Sequence, residues 1–439
     1  MQLPTEIFGN IFSHYAEQAD DIHPVETLLL VNRSWHDAAL AYCQVWSYIV
    51  IELGHIKSIE RWRALLPLRL KRAGLIHPLE ITLRNVYSID AHPSSSFANR
   101  PKSQRQKESA ENVVTGTYQV RHYILDFLQI LAGKSGEQAF RWRSLHLDFG
   151  DQQWGRCLFT WKVLSYPTPS LRSLFMANLD TSGRDTLFGR SLLPSSPLLE
   201  SGVLINCSVI CYPDLGAAME VSVSTAQGWV GRPIRPRKLK VGSRIRILRL
   251  SIPLNMSISL PTSLYELRHL KLGGENIPLN LQSLEAPNLT ELTIEPDGTN
   301  LIPPLAQHAL FLPQISRFNL SLAANMSIGP TYLQGILSKM HGLEVLRGNR
   351  RALEMVLYLV WVDALAGRDV ETIHDEFSLS SLPSLSASRT LEFQWMEGQG
   401  AITIQSPLNL DSWKQSVEES TLRTADAAWS SYFCVKDID

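Results

Sequence analysis

The sequence predicts an α/β protein in two parts: a short N-terminal unit of three helices, then an irregular solenoid of parallel strands with helices on its outer side. Three observations predict it. Near the start of the chain, from Ile7 to Tyr15, the apolar residues recur at helical spacing. Beyond that segment the pattern apolar-x-x-apolar-x-apolar recurs along the chain. Two successive steps of that pattern are both 22 residues long, which marks a stacked repeat.

The first helix opens at Pro4, whose missing N–H falls where no intrahelical bond is needed, and Glu6 in its first turn suits the helix dipole. Ile7, Phe8, Ile11, Phe12 and Tyr15 form two adjoining apolar stripes. One stripe suffices to pack against two further helices. The second is surplus, because a fifty-residue helical unit has little core in which to hide it. Asp20, Asp21, His23 and Pro24 make a polar loop. Leu28 to Val31 is apolar all round, as in a short buried helix. Asn32 or Ser34 caps a third helix with Trp35, Ala38, Ala39 and Tyr42 inward. Leu29, Leu30 and Ala39 are expected in the core.

The repeat is clearest as Ile245-x-x-Leu248-x-Leu250, Leu267-x-x-Leu270-x-Leu272 and Leu289-x-x-Leu292-x-Ile294. Weaker copies begin at Ile76, Trp142, Leu171 and Ile315, and Leu343-x-x-Leu346 and Leu391-x-Phe393 are further candidates. A strand of this kind cannot bury its own apolar edge, so neighbouring units must stack. Helices are expected between strands over Tyr118–Leu131, Thr331–Met340 and Leu353–Leu365. Another, over 57–73, is expected to break at Pro67.

The order Leu3-Pro4-x-Glu6-Ile7, Ile11-Phe12, Leu28-Leu29-Leu30-Val31-x-x-x-Trp35 and Trp46 resembles an F-box, the three-helix module that docks a protein onto the Skp-type adaptor of cullin ubiquitin ligases. The later pattern resembles leucine-rich repeats, though the asparagine ladder usual in that family is largely missing. Together these resemblances imply an F-box over 1–52, a degenerate leucine-rich-repeat-like substrate-binding domain over 53–405, and a C-terminal tail over 406–439. They imply Leu3, Pro4, Ile7, Ile11, Val31 and Trp35 as adaptor contacts. The partners would be a Skp-type adaptor, cullin through it, and a protein target held on a concave strand surface. The chain would then be a substrate receptor of an SCF-type (Skp–cullin–F-box) ligase and not itself an enzyme. The alternatives are an adaptor-binding scaffold outside a ligase, and a nucleic-acid-associated repeat protein.

Composition narrows the classes. Of 439 residues, 19% are charged and 44% hydrophobic, with a net charge of −1, so no global field recruits nucleic acid or a membrane. The longest apolar stretch, Met355 to Val362, is far short of the ~20 residues a spanning helix needs, and no secretory signal is read. Cys43, Cys157, Cys207, Cys211 and Cys434 are odd in number and scattered, which suggests reduced thiols in the cytoplasm, the nucleus or both. The segment His92–Gly116 (an insertion near 90–116) is polar and expected to be mobile. A basic loop near 228–243 holds Arg232, Arg235, Arg237, Lys238 and Lys240. Its plainer reading is a solvated loop; the sharper ones are a localisation patch, a nucleic-acid contact or a receptor for a phosphorylated partner.

No catalytic constellation stands out, and no cofactor or metal is implied. Gly133-Lys134-Ser135 ends like a phosphate-binding loop, but Leu128 stands where its first glycine belongs. Cys207 and Cys211 have no neighbouring histidine or second cysteine pair for zinc. His77, His146 and His269 lie beside strand motifs and are expected to complete surface hydrogen bonds.

Overall fold

The computed structural model describes residues 5–18, 24–53, 56–84, 126–149, 163–179, 192–207, 213–225, 237–239, 241–252, 258–275, 281–296, 305, 311–322, 330–349, 352, 390–395 and 401–405. The chain divides into two compact units, Met1–Ile245 and Arg246–Asp439. Each is mixed α/β and built on parallel strands.

The first unit begins with α1 (Thr5–Gln18), α2 (Pro24–Leu29) and α3 (Arg33–Ala41), followed by a 3₁₀ turn over Cys43–Ser47. Six strands follow in chain order, every neighbouring pair parallel: β1 (Tyr48–Glu52), β2 (Leu79–Arg84), β3 (Trp142–Asp148), β4 (Ser173–Ala177), β5 (Ser201–Ile205) and β6 (Glu220–Ser224). The sheet does not close on itself, and it starts inside the segment expected to be wholly helical, since β1 pairs with β2.

The register explains why these segments stack. Ile49, Ile81, Leu145, Leu174, Gly202 and Val221 align across the strands, as do Ile51, Leu83, Leu147, Met176, Leu204 and Val223. All are buried and all face one side, where period-2 alternation sends them. Gly202 stands where a leucine is expected because a Cβ there would sit 2.9 Å from a methyl of Leu215.

Helix α4 (Ile56–Arg72) lies between β1 and β2, and it runs unbroken through Pro67 where a break is expected. Pro67 and Arg63, four positions earlier, are both exposed, so the missing hydrogen bond falls on the solvent side of the helix. Ile59, Trp62, Leu66 and Arg69 are buried on the opposite side and hold the helix in place. A second helix spans 126–132, the described part of the expected 118–131 element, with Phe127, Leu128, Leu131 and Ala132 inward.

The second unit repeats the scheme with β8 (Ile247–Ile252), β10 (His269–Gly274), β11 (Glu291–Pro296), β12 (Arg317–Leu320), β13 (Val345–Gly348) and β14 (Thr390–Trp395), all parallel, then β15 (Ala401–Gln405) antiparallel to β14. Two short strands complete the numbering, β7 (Arg237–Lys238) in the first unit and β9 (Ile258–Ser259) in the second. Helix α5 (Pro330–Leu337) precedes β13 and covers the expected 331–340 segment in part.

The repeat also has a local signature. The N–H of its first apolar residue closes a turn three residues back: Leu171 on Thr168, Leu267 on Leu264, Leu289 on Ala286, Ile315 on Leu312 and Leu343 on Met340. All five side chains are buried. Ile76 is the exception, 91% exposed ahead of β2, because the α4–β2 connection turns out to solvent there.

Leu3, Pro4, the 90–116 segment, the 353–365 helix and the 406–439 tail lie outside the described residues, as do Arg232, Arg235 and Lys240. Of that basic loop only Arg237 and Lys238 are placed, in β7.

Candidate functional site

The N-terminal helices separate their two stripes cleanly. Phe12 is wholly buried and Phe8 half-buried, and both meet Trp35: ring centroids lie 5.7 Å apart for Phe8–Phe12, 6.0 Å for Phe8–Trp35 and 5.2 Å for Phe12–Trp35. Asn32 caps α3 by accepting from the Trp35 N–H at 2.9 Å, which fixes where Trp35 enters that cluster. Gly9 lies under Tyr42, and a Cβ there would come within 2.4 Å of two ring carbons. Overpacking of that severity costs about 1–3 kcal/mol, against a gain of about 1 kcal/mol from alanine's helix propensity. Gly9→Ala is therefore expected to lower the unfolding midpoint, and adding Tyr42→Ala should remove most of that particular penalty in a double-mutant cycle.

The other stripe faces out. Ile7 is 43% exposed, Ile11 41% and Tyr15 37%, all on one side of α1. Val31 is 52% exposed in the turn between α2 and α3. Leu30, expected in the core, is 85% exposed. Helix α2 ends at Leu29, so Leu30 falls in a turn with its N–H bonded to the Thr27 carbonyl at 3.1 Å, and an apolar run cannot bury every side once its helix has stopped. Of the expected contact residues, Ile7, Ile11 and Val31 are exposed, while Trp35 is half-buried against Phe8 and Phe12.

A buried ionic clamp holds this helical unit. Arg69 of α4 is 2% exposed; its Nε and Nη2 donate to the two Glu26 carboxylate oxygens at 3.2 and 2.7 Å, and Nη1 donates to the Tyr48 carbonyl at 3.0 Å. The guanidinium also lies 5.0 Å over the Trp62 ring. Burial pulls its pKa down, and Glu26 opposes that pull. Arg72 lies 4.4 Å over Trp46, whose indole N–H donates to the Ala39 carbonyl at 2.8 Å. One helix thus ties α2, α3 and β1 together.

The sheet faces away from the core differ between the units. In the first, one register row reads Val50, Thr82, His146, Phe175, Val203, Ser222, all half-buried. His146 stacks on Phe175 at 4.0 Å and makes no side-chain hydrogen bond among the described residues, where a surface hydrogen bond is expected; burial lowers its pKa. Beside this row Asn206 Nδ2 donates to Asn178 Oδ1 at 2.9 Å and Asn178 Nδ2 to Asp148 Oδ1 at 3.0 Å. So a short amide ladder does exist. Asn178 and Asn206 take φ of 60° and 51°, a conformation asparagine tolerates better than most residues. In the second unit the corresponding row is polar: Arg249, Lys271, Thr293, Asn319, Arg347. Lys271 pairs with Glu295 at 2.6 Å, and His269 Nε2 lies 3.1 Å from Thr293 Oγ1.

The Gly133-Lys134-Ser135 segment is a turn already filled by the chain. Backbone N–H groups of Lys134 and Ser135 donate to the Glu137 carboxylate at 3.2 and 2.8 Å, and Ser135 Oγ donates at 2.9 Å. Those amides, the Ser135 N–H foremost, hold the Glu137 pKa at about 2. Because this folded-state pKa lies below the ordinary value, the turn gains stability from it above pH ~4.5 and loses it as pH falls toward 2. A carboxyl-carbon NMR titration should place the Glu137 midpoint near 2.

Other chemistry is sparse. Cys207 is buried, and desolvation pushes its thiol up to about 12, which leaves essentially no thiolate near neutral pH. Among the described residues no group of three His, Cys, Asp or Glu side chains converges as a metal site, and no helix is long and apolar enough to cross a membrane. No protein-family model matches the chain, and no curated protein matches it either.

Proposed function

We propose that this chain is the substrate-recognition subunit of an SCF-type ubiquitin ligase, with an F-box at its N-terminus and a leucine-rich-repeat-like sheet as its target-binding scaffold. One observation carries the reading: Ile7, Ile11, Leu30 and Val31 are exposed on a three-helix unit whose own core is already filled by Phe12, Val25, Leu28 and Trp46. Their order in the sequence, with Leu3 and Pro4 ahead of them, resembles the adaptor-docking motif. An interface of standard size, about 800 Å² per partner, would cover them.

The chemistry follows from positioning. The chain would hold a target against its sheet face while the adaptor and cullin bring a charged conjugating enzyme nearby. That raises the effective concentration of the target's lysines without any catalytic group on this chain. The parallel strands support such a scaffold, since their outward rows can vary freely while the buried rows keep the stack.

Co-purification tests the reading. The full chain, expressed with a Skp-type adaptor and cullin, should recover both proteins. Recovery of adaptor without cullin would assign it instead to scaffolding outside a ligase, and recovery of neither would overturn both.

A further inference from the structure

In the first unit, α4 and the 126–132 helix leave a groove of about 730 Å³ between them. Pro67, Leu70 and Gly74 line one wall, and Ile130 and Gly133 the other. Leu70 and Ile130 are only half-buried, so part of each apolar side chain is open to the groove. An ion pair of Arg63 with Asp126, at 3.1 Å, bridges the two helices at one end. Leu75, one residue past Gly74 at the other end, is 80% exposed. The charges around the groove are unequal in what they have left to bind. Asp126 is taken by Arg63, and the Glu137 carboxylate is taken by the Lys134 and Ser135 amides. Lys71 and Lys134 also line the groove, both are exposed, and neither ammonium meets a carboxylate among the described residues. The groove is thus apolar along its floor and positive at its rim.

We infer that this groove docks an acidic amphipathic helix of a partner protein, with apolar residues seated on Leu70, Leu75 and Ile130 and carboxylates at Lys71 and Lys134. The walls decide the form of the occupant. Both are helices whose backbone groups bond internally, so they offer no strand edge to an extended peptide. A helix brings its own backbone already satisfied and presents only side chains. Exposure decides against a small molecule: Pro67, Lys71, Leu75, Gln129 and Lys134 are all exposed, and so open a groove covers one face of its occupant, whereas a small-molecule site encloses most of its ligand. Charge decides the sign, since a basic helix would meet two lysines and no free carboxylate. For the same reason the chain's own 85–125 connection is the wrong occupant, with Arg100, Lys102, Arg105, Lys107 and Arg121 against Asp90, Glu108 and Glu111. No residue of α1, α2 or α3 lines the groove, so the inference is independent of adaptor docking.

Selection of a random displayed-peptide library on the full chain, with removal of peptides that also bind the Lys71→Glu, Lys134→Glu chain, tests it. The peptides that survive are expected to carry leucine, isoleucine or phenylalanine at i, i+3 or i+4 spacing, flanked by aspartate or glutamate. Synthesised singly, they should bind the native chain about tenfold or more tightly than the variant, because two attractive contacts become repulsive. Leu75→Ser should weaken them about fivefold with the circular dichroism unchanged, since the side chain is exposed in the free chain. If the charge reversal unfolds the chain, Lys71→Gln with Lys134→Gln takes its place, with a loss of about threefold expected. No surviving peptides, survivors that are basic or lack the helical apolar spacing, or indifference to Leu75→Ser would overturn the inference. Adaptor capture measured alongside separates the two ideas: capture without peptide selection sinks only this one, and peptide selection without capture sinks only the ligase reading.

Discussion

Glu26→Ala is expected to destabilise the first unit by about 3–5 kcal/mol, the usual cost of removing one partner of a buried ion pair. The reason lies in what remains. Arg69 keeps its charge, stays 2% exposed, and retains only the Tyr48 carbonyl and the Trp62 face from the contacts described above. The opposite change is milder. Replacing both residues, Glu26→Leu with Arg69→Met, removes the two desolvated charges together, and such exchanges are often neutral or stabilising when volume is kept. Chemical denaturation followed by Trp fluorescence checks both, because Trp62 lies under Arg69 itself and Trp46 under Arg72 of the same helix. A loss below about 1 kcal/mol for Glu26→Ala would place the pair among ordinary surface bridges.

The joint substitution Ile7→Glu and Ile11→Glu is expected to reduce affinity for a Skp-type adaptor by at least a hundredfold, with little change in stability. Both residues are over two-fifths exposed, so charge there costs the folded chain little, typically within about 0.5 kcal/mol per site. In a docked interface the same charges would be desolvated without partners, at several kcal/mol together. Phe12→Ala is the informative contrast. Phe12 is fully buried against Trp35, so its truncation should cost about 3–5 kcal/mol and impair capture only by loosening the helices. Thermal unfolding beside surface-based binding measurements separates the two effects. Equal loss of stability in both variants would mean that the outer stripe is structural.

Most of the strand framework was legible because buried rows leave a period-2 trace. Leu248, Leu270 and Leu292 fall in one register row, as their equal spacing implies. Besides the two-residue β7 and β9 and the antiparallel β15, three strands of the parallel runs escaped notice, for identifiable reasons. Trp46-x-x-Ile49-x-Ile51 has the repeat pattern, yet it lies within the segment read as helical. Leu199-x-x-Gly202-x-Leu204 hides its middle position behind a glycine that makes room for Leu215. Ala218-x-x-Val221-x-Val223 opens on an alanine too small to signal a core position.

The candidate sites were legible to different depths. Exposure of Ile7, Ile11 and Val31 follows from counting stripes against available core. Leu30 does not, since nothing in an apolar run states where a six-residue helix will stop. The Arg69–Glu26 clamp joins residues 43 positions apart, and no local pattern reports such a pair. Likewise Lys71 and Lys134 come to line one groove only because the strands that follow their helices stack.

Titration calorimetry of the full chain against a purified Skp-type adaptor tests the central claim most directly. Saturable one-to-one binding is expected, with a negative heat-capacity change from covered apolar surface, and both should vanish in the Ile7→Glu, Ile11→Glu chain. No saturable binding, or equally tight binding by that folded variant, would contradict it.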